Sequence, residues 1–364
     1  MKKYRLMLFN PTGKNKTVFQ TFSKNEFKSE MVDNIFRGML RYDPACNYIG
    51  LATSAELFMR DLDDDTLVCE GFTDNYFVDI SDVNPAKDRH DYIMARLQEH
   101  YEEALSLGHE VFAIVIQGSQ NYNLDVYAEE YQSDIDTKCI ILPSFEDVVK
   151  NNAGVSTTHV RDNNEHIDLK DIRNMFDTFR KQNVNFVEIL FSDFYIVPDK
   201  YKKYWEELRA LAEDLTHCHP AQTVKTMSGL SMEKLKALKH PYPSIKDRID
   251  KFGFDAKQAH HIIRINDFIK QYVSGKPFKD CLSPSTPELA EYLKKVKVPG
   301  YIPRVEDIED ELIRLDAETK AIKDSFIEKV GENIVNDEPY LKLGDIKFRV
   351  LKQFFKECIL DDEN

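Results

Sequence analysis

The chain has 364 residues, 42% hydrophobic and 31% charged, with a net charge of −14. That length allows two or three domains, each with its own core, and the composition excludes a fibrous or wholly disordered protein. The acidic balance argues against a broad, sequence-independent grip on nucleic acid. No apolar run approaches the roughly 20 residues of a spanning helix, and Met1-Lys2-Lys3-Tyr4 turns polar again by Asn10. Neither a membrane anchor nor a secretory leader is therefore expected, and the expected setting is cytoplasmic. Six cysteines (Cys46, Cys69, Cys139, Cys218, Cys281, Cys358) lie apart with no CxxC pair, as reduced packing thiols do. His217-Cys218-His219 lacks neighbours that would complete a tetrahedral zinc set.

Residues 1–88 carry short β-like runs, beginning at Tyr4 and at Asn75, with turns at Asn10-Pro11-Thr12-Gly13 and Asn84-Pro85. They read as an N-terminal extension to which no function attaches. From Asp88 to Leu107 the apolar spacing of Ile93, Leu97, Tyr101, Ala104 and Leu105 predicts a helix that ends at Gly108. A buried strand follows at Val111–Ile116, then Gly118-Ser119, then a second strand from about Asp134 to Leu142. A third strand is expected at Glu165–Leu169, leading into a helix with Ile172, Met175, Phe176 and Phe179 on one face. Another apolar element begins at Phe186. Beyond Pro198 the pattern is helical, and Val305, Ile308, Leu312, Leu315, Ile322 and Phe326 form one stripe that suits packing on the body or on a partner subunit. The expected architecture is an α/β (α+β) core with a mixed sheet over 89–200, a helical C-terminal domain over 201–364, and the extension before them.

The chemistry gathers around the first two strands. Gly118 lets a phosphate approach the backbone, Ser119 adds a hydroxyl donor, and a helix start there would offer unpaired N–H groups. On the next strand Asp134, Asp136 and Lys138 share one face, because side chains alternate with period two. Two neighbouring aspartates repel each other, and a divalent cation rewards the arrangement that a core does not. Mg²⁺ favours carboxylate oxygens, and two ions roughly 3.5–4 Å apart can activate a hydroxyl and stabilise a leaving pyrophosphate. The spacing alone is not diagnostic, since Asp61-Leu62-Asp63 and Asp63-Asp64-Asp65 repeat it in an acidic loop. The position 15 residues after Ser119, at the head of an apolar strand, distinguishes Asp134 and Asp136. Asp168, between Ile167 and Leu169, is the expected third metal ligand, with Glu165 and Asp171 as neighbouring alternatives.

Gly-Ser, Asp-x-Asp and a later acid between apolar residues resemble the DNA polymerase beta nucleotidyltransferase superfamily. The chain looks closer still to its bacterial and phage RNA-repair-pathway polymerase-beta-like branch. Members of that branch show an SDIDxxG-like strand, a stretch like DLRKFLxLALKGNPNxIELLF and a later YDPKxAxHLxRL segment. Here these read SDIDTKC from Ser133, DIRNMFDTFRKQNVNFVEILF from Asp171 and FDAKQAHHIIRI from Phe254. The likeness covers roughly residues 110–270. Gln182 stands where the family has glycine and Val184 where it has proline, and the N-terminal 88 residues have no counterpart.

The resemblance implies a nucleotidyltransferase that binds an NTP with Mg²⁺ (two ions expected, Mn²⁺ an alternative) on Asp134, Asp136 and Asp168. Residues 217–284 hold twelve Lys/Arg against six Asp/Glu, a local +6 within the acidic chain. In that segment Lys257, His261 and Arg264, spaced four and three apart, share a helical face suited to a triphosphate; an ordinary solvated face is the alternative. Lys234, Lys236 and Lys239 form a second basic stretch. Glu188, inside Val187-Glu188-Ile189-Leu190, needs a partner, which Arg173 or Arg180 would supply as a structural ion pair. The acceptor implied by the resemblance is an RNA 3′ end. A protein or small-molecule hydroxyl is the alternative that the acidic charge favours, and a non-catalytic nucleotide-binding module is a further one. Sequence leaves the oligomeric state open.

Overall fold

A computed structural model describes residues 89–127, 131–161, 163–242 and 245–362, together with the backbone of six strands within residues 1–88. Those strands are β1 (Lys3–Leu8), β2 (Val18–Ser23), β3 (Ile49–Ala52), β4 (Leu57–Arg60), β5 (Leu67–Gly71) and β6 (Asn75–Val78). They pair antiparallel as β1 with β2, β3 with β6 and β4 with β5. The β-like runs at Tyr4 and Asn75 fall on β1 and β6, while both expected turns and the acidic loop at Asp61–Asp65 lie outside the described residues. Helix α1 (Arg89–Ser106) follows, burying Ile93, Ala95, Leu97 and Ala104 at helical spacing. Gly108, at φ +84°, carries the chain out of it in a left-handed turn. The chain divides into two compact units, Met1–Ser106 and Leu107–Asn364, so α1 groups with the first.

The second unit is built on a five-stranded mixed sheet ordered β11-β7-β8-β10-β9. Its strands are β7 (Val111–Gln117), β8 (Asp136–Ile141), β9 (Ser156–Val160), β10 (His166–Asp171) and β11 (Tyr195–Ile196). Val111 to Ile116 are at most 1% exposed, so both faces of β7 are covered; this explains an unbroken apolar run where a half-solvated strand would alternate. β8 runs antiparallel to β7 and parallel to β10, with Thr137 opposite Ile167 and Lys138 opposite Asp168. Asp134 precedes β8, which begins two residues later than the sequence suggests.

Between the strands lie α2 (Phe145–Val149), α3 (Ile172–Arg180) and α4 (Val184–Val187). The helical half supplies α5 (Lys202–His217), α6 (Pro220–Ala237), α7 (Lys246–Phe252), α8 (Ala256–Val273), α9 (Phe278–Cys281), α10 (Pro287–Val296), α11 (Glu309–Val330) and α12 (Glu338–Asp362). One core gathers Ile140, Phe176 and Phe179 with Trp205 of α5 and Val350 of α12. A second gathers Val224, Ile262, Ile269 and Leu312 around α6, α8 and α11, and it also takes in Tyr122, Leu124 and Val184 from the sheet half. Apolar contact thus locks the helices to the loop after β7. Ile140 shares its strand face with Asp136 and Lys138, so that face passes from packed core to polar site within two residues. Cys139, Cys218, Cys281 and Cys358 are free thiols. Among the described residues no helix is long and apolar enough to cross a membrane.

Gln182 explains one departure from the resembling pattern. It ends α3 at φ +57°, a conformation that favours glycine, yet its side chain is buried. Its amide nitrogen donates to the Leu215 carbonyl (2.8 Å) and to the Tyr340 hydroxyl (3.2 Å), and its amide oxygen accepts from Thr223 (3.2 Å). These hydrogen bonds offset the backbone cost. Gln182→Ala keeps the left-handed strain and orphans the partners, and should cost about 1–3 kcal/mol. Gln182→Gly loses the same bonds but relieves the strain, and should be less damaging than alanine by about 1 kcal/mol. Urea unfolding of both variants checks the order; a glycine variant no more stable than the alanine one would contradict it.

Candidate functional site

The last residue of β7 delivers the chain to Gly118, held at φ +91° and ψ −148°, a region that only glycine enters cheaply. The helix expected here is a single four-residue 3-10 turn, Ser119–Tyr122. Any anion grip at this turn therefore comes from its own N–H groups and the Ser119 hydroxyl rather than from a long helix dipole. The turn is braced from below. Asn121 donates to the Ile116 carbonyl (2.9 Å) and accepts from the Ser192 hydroxyl (2.6 Å).

Asp134 is half-exposed, and its backbone carbonyl accepts from Gln120 Nε2 (2.8 Å). Asp136 is largely covered, and one carboxylate oxygen accepts from the backbone N–H of His166 (3.0 Å), with His166 Nδ1 3.3 Å away. Burial raises the Asp136 pKa; Lys257 and His166 oppose that rise, and Asp134 adds to it. Lys257 Nζ lies 3.6 Å from Asp134. Burial would lower the Lys257 pKa, but Asp136 and Asp134 outweigh it and hold the ammonium above the usual lysine range.

Asp168 enters the same space one alternation further along. The parallel register sets His166 beside Asp136 and Asp168 opposite Lys138. Lys138 Nζ donates to Asp168 Oδ2 (3.1 Å), and the Thr158 hydroxyl donates to Oδ1 (2.5 Å). Burial pushes the Asp168 pKa up, but Lys138 and Thr158 overcome it and hold the carboxyl below its ordinary value. The neighbouring candidates are engaged elsewhere: Glu165 pairs with Arg161 (3.1 Å), and Asp171 caps α3 and pairs with Arg173 (2.6 Å).

The opposite wall is α8. Asp255 caps it by accepting from the Lys257 N–H (3.0 Å), which fixes where the helix starts and sends Lys257, His261 and Arg264 to one side. Arg264 is nine-tenths buried, with its guanidinium carbon 3.6 Å from the Tyr122 ring centroid. Its Nη2 is 3.7 Å from Glu188, and neither Nε nor Nη2 has a hydrogen-bond partner among the described residues. The Tyr122 hydroxyl donates to Glu188 (2.7 Å). Glu188 thus finds its counter-charge in Arg264, whereas Arg173 is spent on Asp171 and Arg180 stacks on Tyr340. His261 meets His260 edge-on (5.4 Å), and desolvation, aided by His260, holds His261 well below the usual histidine range. It offers hydrogen bonding rather than charge.

Gly118, Ser119, Asp134, Asp136, Asp168, Lys257, His261 and Arg264 all line one cavity of about 390 Å³. Lys234 of the second basic stretch also reaches it. Three further lining residues, Lys138, His260 and Lys297, stand outside the site expected from sequence. Lys138 was visible on the aspartate face but had no assigned partner. His260 donates from Nδ1 to the Leu293 carbonyl, if that nitrogen carries the proton (2.9 Å), and burial lowers its pKa to about 3. Lys297, just beyond α10, donates to the Ser133 hydroxyl (3.0 Å); only its setting between Val296 and Val298 hints at burial.

The acid pair can serve as part of a magnesium site, because Mg²⁺ commonly takes one or two protein carboxylates and completes its shell with phosphate and water. Asp134 and Asp136 meet that requirement. Asp168 lines the same cavity from β10, hydrogen-bonded to Lys138 and Thr158; no group of three His, Cys, Asp or Glu side chains placed to hold a metal occurs among the described residues.

Burial lowers the Lys297 pKa from 10.5 to about 7. Its charged form is then the disfavoured one in the fold, so the residue costs stability below about pH 7, and the cost fades as pH rises towards about 10.5. Lys297→Met should raise Tm at about pH 6 by the equivalent of up to a few kcal/mol. The gain should shrink steadily towards about pH 10. Thermal melts across that range check it, and a gain that grows with pH would contradict the assignment.

No protein-family model matches the chain, and no curated protein matches it.

Proposed function

We propose that the chain is a metal-dependent nucleotidyltransferase that moves a nucleoside monophosphate from an NTP to an acceptor hydroxyl. The observation that carries this reading is the single cavity in which a glycine-serine turn and an aspartate pair face a wall of basic residues. Such a division suits a substrate whose phosphates must meet a cation on one side and protein charge on the other.

Asp134 and Asp136 would hold Mg²⁺, which when bound supplies Lewis-acid polarisation of a phosphoryl oxygen. Ser119 and the N–H groups of its turn would hold β- and γ-phosphate oxygens. Lys257 and Arg264, both lining the cavity, would neutralise the charge that collects on the leaving group. The acceptor oxygen forms a bond to the α-phosphorus as the bond to the bridging oxygen breaks. Pyrophosphate leaves with that electron pair, and the hydroxyl proton passes to a carboxylate or to water.

An RNA 3′ end is the acceptor that the sequence resemblance implies. The net charge of −14 favours the second reading, a hydroxyl on a protein or small molecule.

Incubating the protein with each α-labelled NTP and Mg²⁺, with a 3′-hydroxyl RNA or with cell extract, identifies the acceptor by what becomes labelled. Asp136→Asn should lower transfer by at least about 100-fold, with Tm little changed. NTP binding without pyrophosphate release for any acceptor would sink the reading in favour of a non-catalytic nucleotide-binding module.

A further inference from the structure

We infer that Lys297 is a phosphate-binding residue of this cavity, the side chain that receives the nucleotide's polyphosphate next to Ser133. This rests on the nucleotidyltransferase reading and deepens it with a residue beyond the roughly 110–270 stretch that carries the sequence resemblance.

Five lysine and arginine side chains line the cavity: Lys138, Lys234, Lys257, Arg264 and Lys297. Four of them already face a carboxylate of the protein. Lys138 pairs with Asp168 (3.1 Å), Lys234 with Glu233 (3.2 Å), Lys257 with Asp134 (3.6 Å) and Arg264 with Glu188 (3.7 Å). Lys297 makes no ion pair among the described residues. Its one hydrogen bond goes to the Ser133 hydroxyl, and the Tyr131 ring centroid is 5.9 Å from its ammonium. Yet the residue is only 4% exposed. Burial opposes its charge most, Lys257 and Lys294 add to that, and Asp125 and Asp134, at longer range, do not offset it. A buried ammonium without a counter-charge is costly, and an anion in the cavity before it would remove that cost.

The lysine is held from both ends. Val296, fully buried in the second core, anchors the end of α10. Ser133 is itself pinned to Val126: its N–H donates to the Val126 carbonyl (2.8 Å), and its hydroxyl accepts from the Val126 N–H (2.9 Å). That fixed hydroxyl takes the Lys297 ammonium at 3.0 Å. Ser133 immediately precedes Asp134, so the ammonium stands beside the start of the aspartate pair. Phosphate oxygens shared with a cation on that pair would find it there. An ammonium carries three N–H groups and Ser133 takes one, so Lys297 can donate to phosphate as a point charge without leaving its place.

Binding of tripolyphosphate and of a non-hydrolysable NTP to the full chain, measured by calorimetry with Mg²⁺, tests this apart from turnover. Lys297→Met and Lys297→Gln should each weaken both ligands by roughly 10- to 100-fold, the loss of one charge-assisted contact. Without ligand, Lys297→Met should melt no lower than the wild type, which separates a lost contact from misfolding. Lys294→Met removes an equal charge from the same end of α10 but outside the cavity, and should change either affinity less than about threefold. Wild-type affinity in both Lys297 variants, or an equal loss in Lys294→Met, would overturn the inference while leaving nucleotidyl transfer standing. A loss confined to the NTP, with tripolyphosphate unaffected, would overturn it by placing Lys297 against sugar or base. Unchanged nucleotide affinity with a raised KM for a phosphate-bearing acceptor would overturn it in favour of the acceptor's phosphate. Should neither Lys297 variant fold, acetylation of Lys297 in the wild type decides: tripolyphosphate should slow it, and an unaltered rate would overturn the inference. Absence of both NTP and tripolyphosphate binding from the wild type would remove the parent reading and the inference together.

Discussion

A carboxylate sealed inside a protein must find positive charge or hydrogen-bond donors, and the way Glu188 does so organises the second unit. Its oxygens accept from the Tyr122 hydroxyl and face the Arg264 guanidinium, and the Gly118 N–H supports its charge from the backbone. Burial still raises its pKa, so these partners compensate only in part. Three elements far apart in sequence are drawn to one point: the turn after β7, the helical segment at Glu188, and α8. Removing any one partner would leave the others buried without compensation. The apolar packing of Tyr122, Leu124 and Val184 with α6, α8 and α11 closes the same seam.

How much of this could be read from sequence depends on how local each signal is. The period-two face of Asp134, Asp136 and Lys138 is local, and the structure keeps those residues on one wall of the cavity. The spacing of Lys257, His261 and Arg264 is likewise a property of one helix, and Asp255 at its cap fixes the phase. Strand register is not local. Nothing near Asp168 announces that Lys138 rather than Asp136 lies opposite it, because a shift of two residues keeps the same face and the same alternation. Long-range partners were equally hidden. Ser133 and Lys297 meet across 164 positions, and Tyr122 and Glu188 across 66. Glu188 accordingly meets Arg264 from across the fold, while the nearer Arg173 serves Asp171 at the head of its own helix.

The cavity also concentrates positive charge inside an acidic chain. The overall charge is −14, yet inside this volume Lys138, Lys234, Lys257, Arg264 and Lys297 converge on a small set of carboxylates. Low dielectric and close walls make these local charges count for more than the distant surface. Lys297 and His260 are held partly or wholly uncharged by burial, so the wall is less positive than a count of its residues suggests.

Lys257 deserves to be seen as a placeholder. With its ammonium 3.6 Å from Asp134 it supplies the counter-charge that the aspartate pair would otherwise lack. On the proposed reading, a cation arriving at that pair would compete with it, and a phosphate arriving at α8 would draw it away. Each guest would then lower the cost of admitting the other, because the lysine would exchange one opposite charge for another rather than lose one. Cation and anion uptake would then be reciprocal by thermodynamic necessity, and the contact between Lys257 and Asp134 would oppose a lone metal ion while favouring a metal and a polyphosphate together.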